Sequence, residues 1–386
     1  LNKPAKAYRA ISSNDRLEKI QNETVGGGYD RHCRNLPQEE IDRLLAEGVP
    51  YVIRQKMPIE GSTTFTDAVF GEITVENTEL QDQILIKTDG YPTYNFANVI
   101  DDHTMGITHV VRGCEYLSST PKYNLLYEAF GWEIPTYIHL PLIMGKDADG
   151  NVSKLSKRHG ATGFYDLIDE GYLPEAIINY IALLGWCPKD NQEIFTLKEL
   201  EKAFDISGIS KSPAVFDYDK LSWFNGEYIK AMTPEKFTEV AMPYYKKVFG
   251  DKQMPYEKFA AILQKRTTQL TQIPEMLDFF AELPSYTKEL FVNKKSKTNL
   301  ENSPVVLKEA YDRLKAMPEW NETSIHDCLI NMAVEKELKN GTVMWPVRIA
   351  AAGKTVTPGG AVEILDILGR DESLARLEKG MAILAE

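Results

Sequence analysis

The sequence predicts an α/β body followed by an all-helical tail, and three observations predict it. From Asp89 onward strand-like runs alternate with helical ones, the rhythm of a parallel sheet covered by helices. Beyond His159 apolar residues recur almost only at helical spacing. A length of 386 residues calls for two to four structural units rather than one core.

The elements justify this in chain order. Up to about Val75 the segments are short, with turn signals at Gly26-Gly27-Gly28, Gly61-Ser62 and Gly71, and residues 70–75 and 84–87 read as strands. Residues 107–111 form the next strand. Thr120 and Pro121 then supply an N-cap and a first-turn proline for a helix whose Leu125, Leu126, Ala129 and Phe130 share a face and which stops at Gly131. Residues 138–144 are a further strand, closed by the Asp149-Gly150 turn. In the tail, Leu307, Ala310, Tyr311 and Leu314 fall at i, i+3, i+4 and i+7, and Ala361, Ile364, Leu365 and Leu368 repeat the pattern before Gly369. The polar residues 293–299 are expected to join two helical bundles.

Composition sets further bounds. With 43% hydrophobic and 26% charged residues the chain is ordinary soluble globular protein, and it has no apolar run long enough to span a bilayer. No signal-peptide pattern opens it, although it begins on Leu1 rather than Met. Cys33, Cys114, Cys187 and Cys328 form neither a disulfide ladder nor a paired metal spacing, which fits a reducing cytosol. A net charge of −12 argues against a general nucleic-acid coat but leaves room for a local basic face.

The stretch "GNVSKLSKRHGATG", residues 150–163, sets Lys154, Lys157, Arg158 and His159 between glycines, without the apolar spacing of a helix or a strand. Lysines in a loop leaving a strand at the rim of an α/β sheet can reach phosphate oxygens, and a triphosphate is a plausible occupant. A solvated basic loop is the competing reading. Upstream lie "DGYPTYNFANVIDDH" and "THVVRGCEYLSSTPK"; downstream lie "FDYDKLSWFNGEYI" and "GTVMWPVRIAAAGKTVTPGG".

Taken together these motifs resemble the bacterial glutamyl-tRNA synthetases, class I aminoacyl-tRNA synthetases with a Rossmann-type catalytic domain, over nearly the whole chain. Lys154-Leu155-Ser156-Lys157-Arg158 stands at the family's KMSKS motif. The resemblance implies ATP with Mg²⁺, L-glutamate and tRNA(Glu) as ligands of a cytoplasmic, non-membrane enzyme, expected to be a monomer. It assigns Lys154 and Lys157 to catalysis; Glu115, Tyr116, Ile143, Lys154, Ser156 and Lys157 to ATP; and Tyr94, Asn98 and Arg112 to glutamate. Chemistry supports these roles: the departing pyrophosphate needs cations, and selecting glutamate needs a cation facing its side-chain carboxylate. Tyr116 can offer an aromatic face to adenine, and Cys114, where many relatives carry an acid, reads as a packed side chain. Asp101-Asp102-His103 reads as capping the next turn rather than as a metal site.

Departures from the family pattern matter too. A zinc knuckle found in some relatives has Ala10 and Ser12 at its first two positions here, with only Cys33 surviving and Asn35 where a histidine can occur; no structural zinc is expected. None of the six histidines stands in a HIGH signature, so the chain is expected to be an incomplete copy without a complete active site. The implied domains are 1–90, the remainder of the acceptor-binding insertion; 91–150, the second Rossmann half; 151–229, the KMSKS loop and stem-contact domain; and 230–298 and 299–386, two helical anticodon-binding subdomains. Candidate phosphate contacts are Lys246, Lys247, Lys252, Lys258, Lys265 and Arg266, with Lys294, Lys295 and Lys297 near the joint. Trp345 reads as core. Discrimination against glutamine tRNA stays open. Glutaminyl-tRNA synthetase, whose anticodon domains are β-barrels, the tail-less glutamyl-queuosine tRNA synthetase, and a non-catalytic tRNA-binding paralogue are the alternatives.

Overall fold

A computed structural model describes residues 7–11, 29–147, 149–156, 160 and 163–385. It divides into two units. The first comprises 1–155, 182–193 and 198–216; the second comprises 156–181, 194–197 and 217–386.

In the first unit, β1 (Ala7–Ile11), β2 (Tyr51–Gln55) and β5 (Ile84–Ile86) make an antiparallel sheet in the order β1-β2-β5. Helix α1 (Gln38–Ala46) follows a turn from His32 to Asn35. Asp82 knits this region together: its fully buried carboxylate accepts from Tyr8 Oη, from Arg34 Nη1 at 2.9 Å and from the Met57 N–H. Ala10 is buried in β1 and Cys33 is buried beside Tyr29, whose hydroxyl accepts the Cys33 N–H; Ser12 lies outside the described residues.

A second sheet carries the α/β layer. β3 (Ser62–Asp67) and β4 (Gly71–Glu76) form a hairpin, and β6 (His109–Gly113) and β7 (Thr136–Leu140) run parallel in the order β4-β3-β7-β6. Helix α2 (Tyr94–Thr104) precedes β6, and α3 (Thr120–Phe130) crosses from β6 to β7. The sequence places the β6 strand two residues early, at 107–111; Gly106, at φ 71°, closes α2, so pairing begins only at His109. Thr120 is not the N-cap. It is already helical, and its hydroxyl donates back to the Tyr116 carbonyl at 2.9 Å. The helix stops at Gly131, at φ 73°, as expected. Leu126 of the expected face is buried, but it packs with Tyr123 and Tyr127, whereas Phe130 is exposed and stacks on Phe96 and Trp132.

Residues 138–144 are not one strand. β7 ends at Leu140, and β8 (Ile143–Lys146) belongs to a different sheet, because Pro141 has no N–H to continue the ladder. β8 pairs antiparallel with β9 (Val152–Lys154) and parallel with β10 (Ala214–Val215). The start of the basic stretch is therefore strand, the outgoing arm of a hairpin turned at Gly150, φ 86°. Lys157, Arg158 and His159 lie outside the described residues.

Helices then dominate: α4 (Phe164–Asp169), α5 (Pro174–Gly185), α6 (Leu197–Ala203), α7 (Tyr218–Ala231), α8 (Pro234–Phe249), α9 (Tyr256–Leu263), α10 (Ile273–Ala281), α11 (Asn302–Ala316), α12 (Glu322–Glu335), α13 (Asn340–Ala352), α14 (Ala361–Leu368) and α15 (Arg370–Ala385). One continuous apolar core in the second unit runs from Leu173 through Phe259 and Leu307 to Leu377. The motif residue Asn225 on α7 earns its place as a buried clamp: its Oδ1 accepts the Leu173 N–H at 2.8 Å while its Nδ2 donates to the Gly171 and Thr268 carbonyls. The expected joint, residues 293–299, is a tight turn anchored onto α13, where the Thr342 hydroxyl donates to the Ser296 carbonyl at 2.7 Å; apolar core lies on both sides of it. Trp345 is half-buried, its Nε1 donating to the Leu290 carbonyl at 3.0 Å, with Arg348 over its ring.

Candidate active site

Parallel pairing of β6 with β7 sets Arg112 directly beside His139. Arg112 Nε donates to His139 Nε2 at 3.1 Å, and Arg112 Nη2 donates to Thr120 Oγ1 at 2.8 Å. Three rings face the guanidinium: Tyr116 at 5.1 Å, Tyr123 at 4.9 Å and Tyr137 at 5.1 Å. Among the described residues Arg112 makes no ion pair, so one edge of a permanent cation is fixed by protein while its Nη1 side keeps donors for something else.

The α2 helix lies close enough to Arg112 to be felt electrostatically. Burial pushes the Asp102 carboxyl up, and the Arg112 charge pulls it back down. Tyr94, Asn98 and Asp102 are four residues apart on this helix and share one side of it. Tyr94 is exposed, and Asn98 Oδ1 is buried without a hydrogen-bond partner among the described residues. Asp101 to His103 form the last turn of α2, and His103 lies flat on Trp132, 3.8 Å between ring centroids.

Past Gly113 the chain makes a turn from Cys114 to Ser119. Glu115 folds back over Gly113, and its own backbone N–H first, then Lys154, hold its carboxyl below the usual range. Lys154 Nζ meets Glu115 Oε1 at 3.0 Å, with side chains 66% and 42% exposed. An exposed pair of this kind is worth about 0–1 kcal/mol, so Lys154 can exchange Glu115 for a phosphate oxygen at small cost. Ile143 opens β8, and its carbonyl accepts the Leu155 N–H at 3.0 Å. Within the first unit, then, Arg112, Glu115, Tyr116 and Lys154 are drawn together; Ser156 begins the second unit.

Residues 1–223 match the family model "tRNA synthetases class I (E and Q), catalytic domain", and residues 236–381 match "Anticodon binding domain". A curated relative, the glutamate–tRNA ligase of Clostridium kluyveri, is 54% identical over 380 residues, covering 97% of this chain and 77% of the relative. The chain belongs to the class I glutamate–tRNA ligases. The Clostridium novyi glutamate–tRNA ligase is 52% identical over 98% of this chain and 78% of its own length. A crystal structure of a glutamate tRNA ligase from Elizabethkingia meningosepticum, in complex with its amino acid, superposes with a TM-score of 0.86 at 33% identity, covering 99% of this chain and 80% of that one.

Within this ligase family fold, sequence reasoning passed over three residues: Asp67, Thr120 as a hydroxyl partner, and His139. His139 and Asp67 have fully buried side chains 2.6 Å apart, between Nδ1 and Oδ2. The only trace in the sequence is a histidine inside the apolar run "TYIHLPLIM"; its partner is 72 residues away. No helix among the described residues is long and apolar enough to cross a membrane.

Proposed function

We propose that the chain catalyses ATP-dependent ligation of L-glutamate to tRNA(Glu) through a glutamyl-adenylate. The glutamate α-carboxylate attacks the ATP α-phosphate and expels pyrophosphate; the tRNA 3′-terminal hydroxyl then takes the acyl group and AMP leaves. Mg²⁺ enters with ATP as part of the substrate. In this reading Arg112, with Tyr94 and Asn98, holds glutamate. Glu115, Tyr116, Ile143 and Ser156 border the nucleotide, and Lys154 and Lys157 neutralise charge growing on pyrophosphate. The observation that carries it is Arg112: a cation at a strand end, fixed along one edge, ringed by tyrosines and without an ion pair among the described residues.

The same reading keeps the five-part division, with 1–90 gripping the acceptor end, 91–150 and 151–229 holding catalysis and stem contact, and 230–298 and 299–386 meeting the anticodon arm. It places the enzyme in the cytoplasm as a monomer.

The test is tRNA-dependent ATP–pyrophosphate exchange with glutamate, with glutamine and without amino acid, on this chain and on the product of the full reading frame. Glutamate-dependent exchange supports the reading; tRNA binding without exchange from either protein replaces it with a non-catalytic tRNA-binding role. Lys157→Ala should slow exchange on the order of 10²-fold or more, the loss of one transition-state charge contact. Unchanged kinetics remove that lysine from the mechanism.

A further inference from the structure

We propose that Asp67 and His139 are a positioning pair for Arg112: Asp67 holds His139 as the Nδ1–H tautomer, and the bare Nε2 then fixes the plane in which the guanidinium meets the glutamate carboxylate. This rests on the reading of Arg112 as the carboxylate-binding residue.

Asp67 closes β3, and both of its oxygens are committed. Oδ1 accepts the Val69 and Phe70 N–H groups at 2.9 and 2.8 Å; Oδ2 accepts the His139 N–H at 3.1 Å and meets His139 Nδ1 at 2.6 Å. A carboxylate ringed by donors requires a donor at Nδ1, so Nδ1 carries the proton. Nε2 is then an acceptor. Arg112 Nε–H, which cannot act as an acceptor, reaches it at 3.1 Å, and the Thr120 hydroxyl lies 3.4 Å away. The Thr120 hydroxyl gives its proton to the Tyr116 carbonyl and accepts from Arg112 Nη2, so two directional bonds from Arg112, to His139 Nε2 and to Thr120 Oγ1, hold the guanidinium in its plane.

The groups facing the imidazole are Asp67 from β3, Arg112 from β6, Thr120 from α3, the Tyr137 ring from its own strand, and the Glu115 charge from the turn after β6. Burial pushes His139 below its ordinary value, the Arg112 charge pushes the same way, and Asp67 and Glu115 pull it up; burial is the largest effect. A protonated ring would turn a donor toward the donor on Arg112 and set two cations side by side. The pair therefore releases Arg112 as pH falls.

Two measurements test this. In this chain, the imidazole ¹⁵N shifts of His139 should report an unprotonated Nε2 and a protonated Nδ1 at neutral pH; an Nε2–H tautomer or an imidazolium there overturns the assignment. In the product of the full reading frame, exchange kinetics should show His139→Leu and Asp67→Asn raising the glutamate KM about 10- to 100-fold, the worth of one hydrogen bond to a charged group. The ATP KM should stay put. His139→Gln, which can donate to Asp67 and accept from Arg112, should return the glutamate KM to within a few-fold of the parent and abolish its rise at acidic pH. If His139→Leu folds and keeps the parent glutamate KM while Arg112→Ala abolishes glutamate-dependent exchange, the positioning pair is wrong and the reading of Arg112 survives. If Arg112→Ala also leaves the glutamate KM unchanged, that reading falls and takes the pair with it. Should His139→Leu fail to fold, Asp67→Asn and the ¹⁵N shifts decide.

Discussion

Gly113 shows how a single hydrogen can hold a site in shape. A Cβ built there would fall inside van der Waals contact of the Glu115 carboxylate, which lies folded across it. Because the obstructing atoms are the end of a flexible side chain, Gly113→Ala should cost little in unfolding free energy, within about 1 kcal/mol. It should nonetheless swing Glu115 off Lys154. The check pairs thermal unfolding with the ATP KM in pyrophosphate exchange: a raised KM at unchanged Tm is expected, and an unchanged KM would show that Glu115 placement is irrelevant to nucleotide binding. His139 adds a pH dependence at the same scale. Its folded-state affinity for protons is lowered, so below about pH 6.5 the unfolded chain binds the extra proton more readily. Its contribution to stability is complete above that pH and shrinks as pH falls through it. Unfolding followed from pH 8 to 5 should show this loss, and His139→Gln should flatten the His139 part of the curve.

At the scale of elements, periodicity located helices well and faces less well. On α11 the spacing of Leu307, Ala310, Tyr311 and Leu314 named the buried stripe, and all four are buried. Leu307→Ala should therefore cost about 2–5 kcal/mol, the loss of a fully buried side chain plus the cavity it leaves. Val305, two residues earlier and 70% exposed, should tolerate alanine within about 0.5 kcal/mol. Denaturant melts of the two variants check the contrast, and equal losses would put the helix in the wrong rotation. On α3 the same reasoning chose Phe130 where Tyr123 and Tyr127 are buried, because a tyrosine is apolar body and polar tip, and pattern alone cannot say which will count. Strand ends failed for a simpler cause. Pro141 was in plain view, yet whether a proline bends a strand or hands it to another sheet depends on the partners, and β8 finds its own in β9 and β10.

Across the whole molecule, a net charge of −12 coexists with clusters of lysine in the helical part. The structure separates the candidates: Lys258 is taken by Asp366 at 2.7 Å, whereas Lys294, Lys295 and Lys297 stand exposed on the turn anchored to α13 and make no ion pair among the described residues. Replacing those three by alanine should lower the salt dependence of tRNA binding, each lost phosphate contact removing about 0.7 to 0.9 from the slope of log K against log salt. Lys258→Ala should leave the slope alone; a slope unmoved by the triple change would dismiss the turn as a contact. By itself the sequence determined the order of α/β body and helical tail, the helix stripes, and the motifs that mark a class I glutamate–tRNA ligase, because these depend on local spacing and residue type. Only the tertiary structure decided that Arg112 sits beside His139 and that Asp67 dictates which nitrogen of that ring is bare. Those contacts join strands 27 and 72 residues apart, and a hydrogen bond across a sheet has no signature in either strand until pairing brings them together.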